Sequence, residues 1–170
     1  MNISWIDSDS DLQSLLQEMA GCDRYALDTE FHRERTYFPQ LALIQIKHNG
    51  KIFLIDPVAV NLSLFADLFA SDSLCVLHAA QQDLEVLNHA CGSAPRRIFD
   101  TQIAAGFIGM STPSLSSLIL SELKVSISKG DRLTDWLRRP LTADQKTYAA
   151  TDVEHLFDIQ DNLEKRLNEL

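Results

Sequence analysis

Three observations predict an α/β fold in which three consecutive antiparallel strands precede an alternating strand-helix half. Tyr25-Ala26-Leu27-Asp28-Thr29-Glu30-Phe31 alternates in the manner of a β-strand. Leu41 to Lys47 and Lys51 to Ile55 read as two further strands, joined by His48-Asn49-Gly50, an Asn-Gly hairpin signal. From the apolar run Leu74-Cys75-Val76-Leu77 onward, strand and helix signals alternate, as they do in α/β units.

Each element has its own local reason. Residues 9–20 carry Leu12, Leu15, Leu16 and Met19 at helical spacing. A turn-prone Cys22-Asp23 precedes the first predicted strand. Alternation along that strand puts Tyr25, Leu27, Thr29 and Phe31 on one face and Ala26, Asp28 and Glu30 on the other. His32 to Gln40 is a polar, aromatic connection, and Asp56-Pro57 ends the third strand. A helix is expected from Leu62 to Ala70. The last helix starts at a capping box, Thr142 with Gln145, just after Pro140-Leu141.

At 170 residues one domain is expected, with 45% hydrophobic and 23% charged residues, an ordinary globular balance. No apolar run is long enough to cross a bilayer, and the acidic, interrupted Met1–Asp11 segment does not read as a signal peptide. The three cysteines, Cys22, Cys75 and Cys91, lack CxxC spacing, which argues against a disulfide framework or a zinc site and for a cytoplasmic location. The net charge of −9 is unlike that of a protein gripping long nucleic acid through phosphates. Either the partner is not nucleic acid, or contact is limited to a few nucleotides with metal ions supplying positive charge.

The acids carry the chemistry. Asp28 and Glu30 share a strand face about 7 Å apart. Ala80, Asp83, Leu84 and Leu87 fall at i, i+3, i+4 and i+7, as do Ala149, Asp152, Val153 and Leu156. Each helix thus sets an aspartate in its inward stripe, where a carboxylate is costly unless paired or metal-bound. Either the two reach water at the stripe edge, or they join the strand pair. Four carboxylates without Cys or His at ligand spacing suit hard Mg²⁺ or Mn²⁺ ions rather than zinc. Two such ions can hold the attacking and leaving oxygens of a phosphodiester. Tyr148, four residues before Asp152, shares its face. A tyrosine hydroxyl, which ordinarily ionises only near pH ~10, suits orienting water better than acting as base.

These residues resemble the DEDDy branch of the DEDD 3′→5′ exonuclease superfamily. The matching motifs are Asp28-Thr29-Glu30, then His78-Ala79-Ala80-Gln81-Gln82-Asp83, then Tyr148-Ala149-Ala150-Thr151-Asp152. Arg35-Thr36-Tyr37, Pro39-Gln40-Leu41, Leu43-Ile44-Gln45, Leu54-Ile55-Asp56-Pro57, Asp100-Thr101-Gln102, Thr134-Asp135-Trp136 and Arg139-Pro140-Leu141 are similar to the ribonuclease D catalytic domain. The resemblance implies an RNase H-like fold: a mixed sheet of five to six strands, three of them antiparallel, with helices on both faces. It implies removal of nucleoside 5′-monophosphates from RNA 3′ ends, chiefly tRNA and other structured-RNA precursors, with two Mg²⁺ or Mn²⁺ ions. Asp28, Glu30 and Asp152 would hold one ion, and Asp28, supported by Asp83, the other.

Further candidates for substrate contact are Thr29, Phe31 (stacking on the terminal base, or core packing) and His78 and Gln82 (ribose or backbone contact, or structural roles). Lys129, Arg132, Arg138 and Arg139 form the densest basic cluster, at the cleft or on a solvated loop. Residues 1–170 are expected to be a single exonuclease domain without the helical HRDC domains that ribonuclease D usually carries. Three alternatives stand beside this reading: a general single-strand DNA or RNA exonuclease, a non-catalytic RNA-binding scaffold, and a phosphatase. The scaffold has no use for four acids and Tyr148, and the phosphatase leaves Asp83 and Asp152 unexplained.

Overall fold

A computed structural model describes residues 1–33, 38–127 and 134–169. The first strand, β1 (Ile3–Ile6), escapes the sequence reading, because four residues within an acidic segment are too few to show a period. It is recruited by parallel pairing with a later strand. Ser8 then caps α1 (Asp9–Glu18) by accepting from the Asp11 N–H at 3.2 Å, and the helix buries Leu12 and Leu15.

The predicted antiparallel trio is present as β2 (Arg24–His32), β3 (Gln40–His48) and β4 (Lys51–Ile55). Asn49 and Gly50 both take positive φ, 47° and 73°, as a tight Asn-Gly hairpin turn requires. The helix expected at Leu62–Ala70 opens as a 3-10 turn, Leu62–Phe65, before α2 (Ala66–Ala70). Then follow β5 (Leu74–Leu77), α3 (Gln81–Cys91), β6 (Ile98–Asp100), α4 (Thr101–Phe107) and α5 (Leu115–Leu123). The expected last helix is two helices, α6 (Ala143–Glu154) and α7 (Leu156–Leu167), because His155 leaves helical geometry at φ −105°, ψ 1°. Its predicted capping box is formed: Gln145 N–H donates to Thr142 Oγ1 at 3.1 Å, and Thr142 N–H to Gln145 Oε1 at 2.9 Å.

The six strands form one sheet in the order β1-β4-β3-β2-β5-β6, parallel except where β3 meets β2 and β4. Alternation on β2 sorts the core as predicted. Tyr25 and Leu27 pack among Leu12, Phe65, Phe69, Val86 and Leu87 on the α1–α3 side. Ala26 packs with Leu43, Val76, Ala149, Ala150 and Val153 beneath α6 on the other. The helices α4, α5 and α7 close a third cluster through Ala105, Leu118, Ile119, Ile159 and Leu163. Among the described residues, no helix is long and apolar enough to cross a membrane.

One irregularity sits at the site. Glu30 pairs with Leu43 but Phe31 pairs with Leu41, so Ala42 is an extra residue and β3 bulges opposite the end of the acidic strand.

Candidate active site

The β2 pleat turns Asp28 and Glu30 toward α6, and α6 returns Asp152 to the same place. One carboxylate oxygen from each of the three lies within 4.8 Å of the others, and all three residues are half-buried. Asp83 approaches from the other side of the sheet on α3 and is 6% exposed. It is tied to β2 by Thr29, whose hydroxyl donates to Asp83 Oδ1 at 2.5 Å. Asp83 is thus not one of the three acids grouped within 4.8 Å, though its charge is felt there. Burial pushes the Asp28 carboxyl well above the ordinary carboxylate range, and the charges of Asp83, Asp152 and Glu30 push the same way. Burial also raises Asp83, to about 6, against the Thr29 hydrogen bond that favours its charged form. Acids crowded in this manner give this end of β2 a negative potential that favours a cation.

The start of α3 is set by Asp100, whose carboxylate accepts the N–H groups of Ala79 at 3.0 Å, Ala80 at 2.9 Å, Gln102 at 2.8 Å and Ile103 at 3.3 Å. Those bonds hold Ala79 at φ 56°, a left-handed conformation that alanine rarely adopts. His78 Nδ1 lies 2.9 Å from Thr101 Oγ1, and the Thr101 hydroxyl donates onward to the Leu77 carbonyl at 3.0 Å. Burial holds the His78 pKa below its ordinary value, against the opposing pull of Asp100 and the Pro113 carbonyl.

Tyr148 stands one turn before Asp152, its ring 6.0 Å from that of Trp136. The two line a cleft of about 410 Å³ with Thr134, Gln145, Thr151 and Asp152. Gln145 Nε2 donates to Thr134 Oγ1 at 2.9 Å, fastening the Thr134–Trp136 segment to α6.

Sequence reasoning missed the link that holds this side together. Arg139 donates from Nε to Asp56 Oδ2 at 2.6 Å and from Nη2 to Asp56 Oδ1 at 2.8 Å. The same guanidinium reaches the bulge carbonyl of Ala42 and the Trp136 carbonyl, each at 2.7 Å. Burial alone would raise the Asp56 carboxyl, but the Arg139 hydrogen bond, the Val58 N–H and the Arg139 charge hold it below its ordinary value. One cation thus fixes the bulge opposite Glu30 and the segment that carries Trp136.

The remaining candidates are placed as follows. Phe31 packs against the α1–α3 core, away from Asp28. Gln82 is exposed on α3, and Arg138 is exposed. Lys129 and Arg132 lie outside the described residues, as does the Arg35-Thr36-Tyr37 motif.

A sheet of this order with acids at one strand end is the architecture of RNase H-like exonucleases. The family model for 3′-5′ exonuclease matches residues 3–168, and the chain belongs to that family. Ribonuclease D of Xanthomonas oryzae pv. oryzae is 45% identical over 97% of this chain and 46% of its own length. The structure of Escherichia coli RNase D, an exoribonuclease involved in structured RNA processing, superposes with a TM-score of 0.92. It is 38% identical over 96% of this chain and 44% of that one. Brucella melitensis NrnC with bound Mg²⁺ superposes at 0.81, with 26% identity over 99% of this chain and 83% of its own. The resemblance to ribonuclease D is thus borne out, and the chain spans less than half the length of the curated relatives it matches.

Proposed function

We propose that this chain is a metal-dependent 3′→5′ exoribonuclease of the ribonuclease D kind, releasing nucleoside 5′-monophosphates from RNA 3′ ends. The observation that carries the reading is the meeting of Asp28, Glu30 and Asp152 within 4.8 Å in a chain of the 3′-5′ exonuclease family. Precursors of tRNA and other structured RNAs are the proposed substrates. Support comes from the likeness to E. coli RNase D. A cytoplasmic location is proposed with it.

The donor set fits two Mg²⁺ or Mn²⁺ ions. It offers hard carboxylate oxygens, and burial first, then the charges of Asp83, Asp152 and Glu30, disfavour a charged Asp28, a cost that a cation would relieve. Asp28, Glu30 and Asp152 would hold one ion, with Asp28 and Asp83 serving the second. Bound ions supply Lewis acidity at the scissile phosphate and offset its charge. The chain's own residues do the positioning. Thr29 orients Asp83, Arg139 fixes the bulge opposite Glu30, and Tyr148 directs its hydroxyl at the attacking water. Residues 1–170 are proposed to act as one exonuclease domain whose contact is confined to the terminal nucleotides, consistent with a net charge of −9.

The test is digestion of a 5′-labelled single-stranded RNA beside its DNA counterpart, with Mn²⁺ or Mg²⁺ and with chelator. A metal-dependent ladder shortening from the 3′ end, stronger on RNA, is expected. Equal ladders on both would establish a general single-strand exonuclease. A folded, metal-binding protein that produces no ladder would contradict catalysis by this chain.

A further inference from the structure

Gln45 belongs to no part of the chemistry described so far. It lies on β3 directly across the ladder from Asp28, with Leu54 opposite it on β4. Opposed residues in an antiparallel pair share a face, with Cβ atoms about 4.5–5.5 Å apart. The Gln45 side chain therefore stands on the Asp28 side of the sheet, where α6, the helix of Asp152, crosses β2, β3 and β4.

The residue is fully buried, and among the described residues neither Nε2 nor Oε1 has a hydrogen-bond partner. A carboxamide in that condition is unfavourable, because both polar ends have left bulk water without gaining a partner among the described residues. The face around it is apolar, formed by Ala26, Leu43, Leu54 and Val153, and a methionine would fill the same volume without that cost. Of the two residues opposite Gln45, one is apolar and the other is the carboxylate at the centre of the acidic cluster.

We propose that Gln45 is a positioning residue for that cluster. When a divalent ion draws Asp28, Glu30 and Asp152 together, the Gln45 amide donates from Nε2 to one Asp28 oxygen, and so fixes how Asp28 presents its other oxygen to the ion. The inference rests on the metal-dependent reading above. Groups that support a ligating carboxylate in this way change metal affinity by roughly 10–100-fold. The amide weakens the metal-free fold and finds its partner in the loaded one.

Two variants test this. Gln45→Met keeps the volume and removes both polar ends, and Gln45→Leu is a second apolar replacement. Each is compared with the unaltered protein by Mn²⁺ titration calorimetry and by thermal unfolding in chelator. The expected result is Mn²⁺ binding weakened by about tenfold or more together with a metal-free Tm raised by about 2–4 °C. Mn²⁺ affinity unchanged in either folded variant would overturn the role of Gln45 and leave the metal-dependent reading standing. An unaltered protein that binds no Mn²⁺ would overturn both. Weaker Mn²⁺ binding with a lowered Tm would make the amide a structural part of the metal-free fold, and would also overturn the proposal.

Discussion

Thr29 and Asp83 are joined by a 2.5 Å hydrogen bond that ties α3 to the strand carrying Asp28 and Glu30. The residue between the two strand acids points to the opposite face, and there it holds the acid that the strand itself cannot supply. Thr29→Val keeps the shape and removes the donor. It should destabilise the protein by about 1–3 kcal/mol, the cost of a buried acceptor left without its partner. It should also move the Asp83 carboxyl upward from about 6, because the hydroxyl favours the charged form. Denaturant unfolding and a carboxyl-carbon NMR titration read the two effects, and Thr29→Ser should reverse both.

The acids predict an unusual pH dependence of stability. Asp83 is raised from 3.8 to about 6 and Asp28 is raised as well, chiefly by burial, so the folded state binds protons that the unfolded state has already released. Stability from these groups is therefore present below about pH 4 and is lost as pH rises through the folded values. For Asp83 the loss amounts to about 3 kcal/mol. His78, whose pKa is lowered, acts in the opposite sense, gaining stability as pH rises toward 6.5. The measurement is thus a difference. Relative to Asp83→Asn, the metal-free protein should lose stability between about pH 4 and pH 7, and millimolar Mn²⁺ should restore it at the upper end. Parallel profiles for the two proteins would contradict the raised Asp83 carboxyl.

Arg139 is the cation that the site cannot spare. Its side chain is 25% exposed and that of Asp56 8%, so truncation leaves a largely buried carboxylate without its partner. Arg139→Met should cost about 2–4 kcal/mol in urea unfolding. Arg139→Lys should recover only part of that, since an ammonium cannot bond both Asp56 oxygens in the bidentate fork. A loss below about 1 kcal/mol for Arg139→Met, no more than an exposed ion pair contributes, would show the bulge to be held by other means.

Tyr148→Phe keeps the ring that faces Trp136 and deletes the hydroxyl. Turnover on RNA should fall by roughly 10²-fold, while Mn²⁺ affinity and Tm stay as they are. Unchanged turnover would remove Tyr148 from the chemistry.

The antiparallel trio and the stripes of α3 and α6 were legible because each is written within a dozen residues. Alternation places Asp28 and Glu30, and helical spacing places Asp83 and Asp152. The elements that sequence reasoning missed depend on distant partners. The four residues of β1 become a strand only by pairing with β4. The bulge at Ala42 and its clamp join Asp56 to Arg139 across 83 residues, and no local pattern announces that pair. Asp56-Pro57 and Arg139-Pro140-Leu141 each stood out as words, and only the fold shows that they are two halves of one contact. Gln45 was visible in the same way, within the word Leu43-Ile44-Gln45, but its lack of a partner among the described residues appears only in three dimensions.

Asp28 is common to the strand pair, the proposed metal site and the Gln45 inference, so Asp28→Asn is the most direct test. Turnover of a 5′-labelled RNA by this variant and by the unaltered protein is measured with saturating Mn²⁺, beside the metal-free Tm of each. Turnover should be lower by roughly a thousandfold or more, with a Tm at least as high, because a repelling charge has been removed and no packing lost. Turnover within about tenfold of the unaltered protein, a barrier change of only about 1.4 kcal/mol, from a folded variant would contradict the carboxylate metal site.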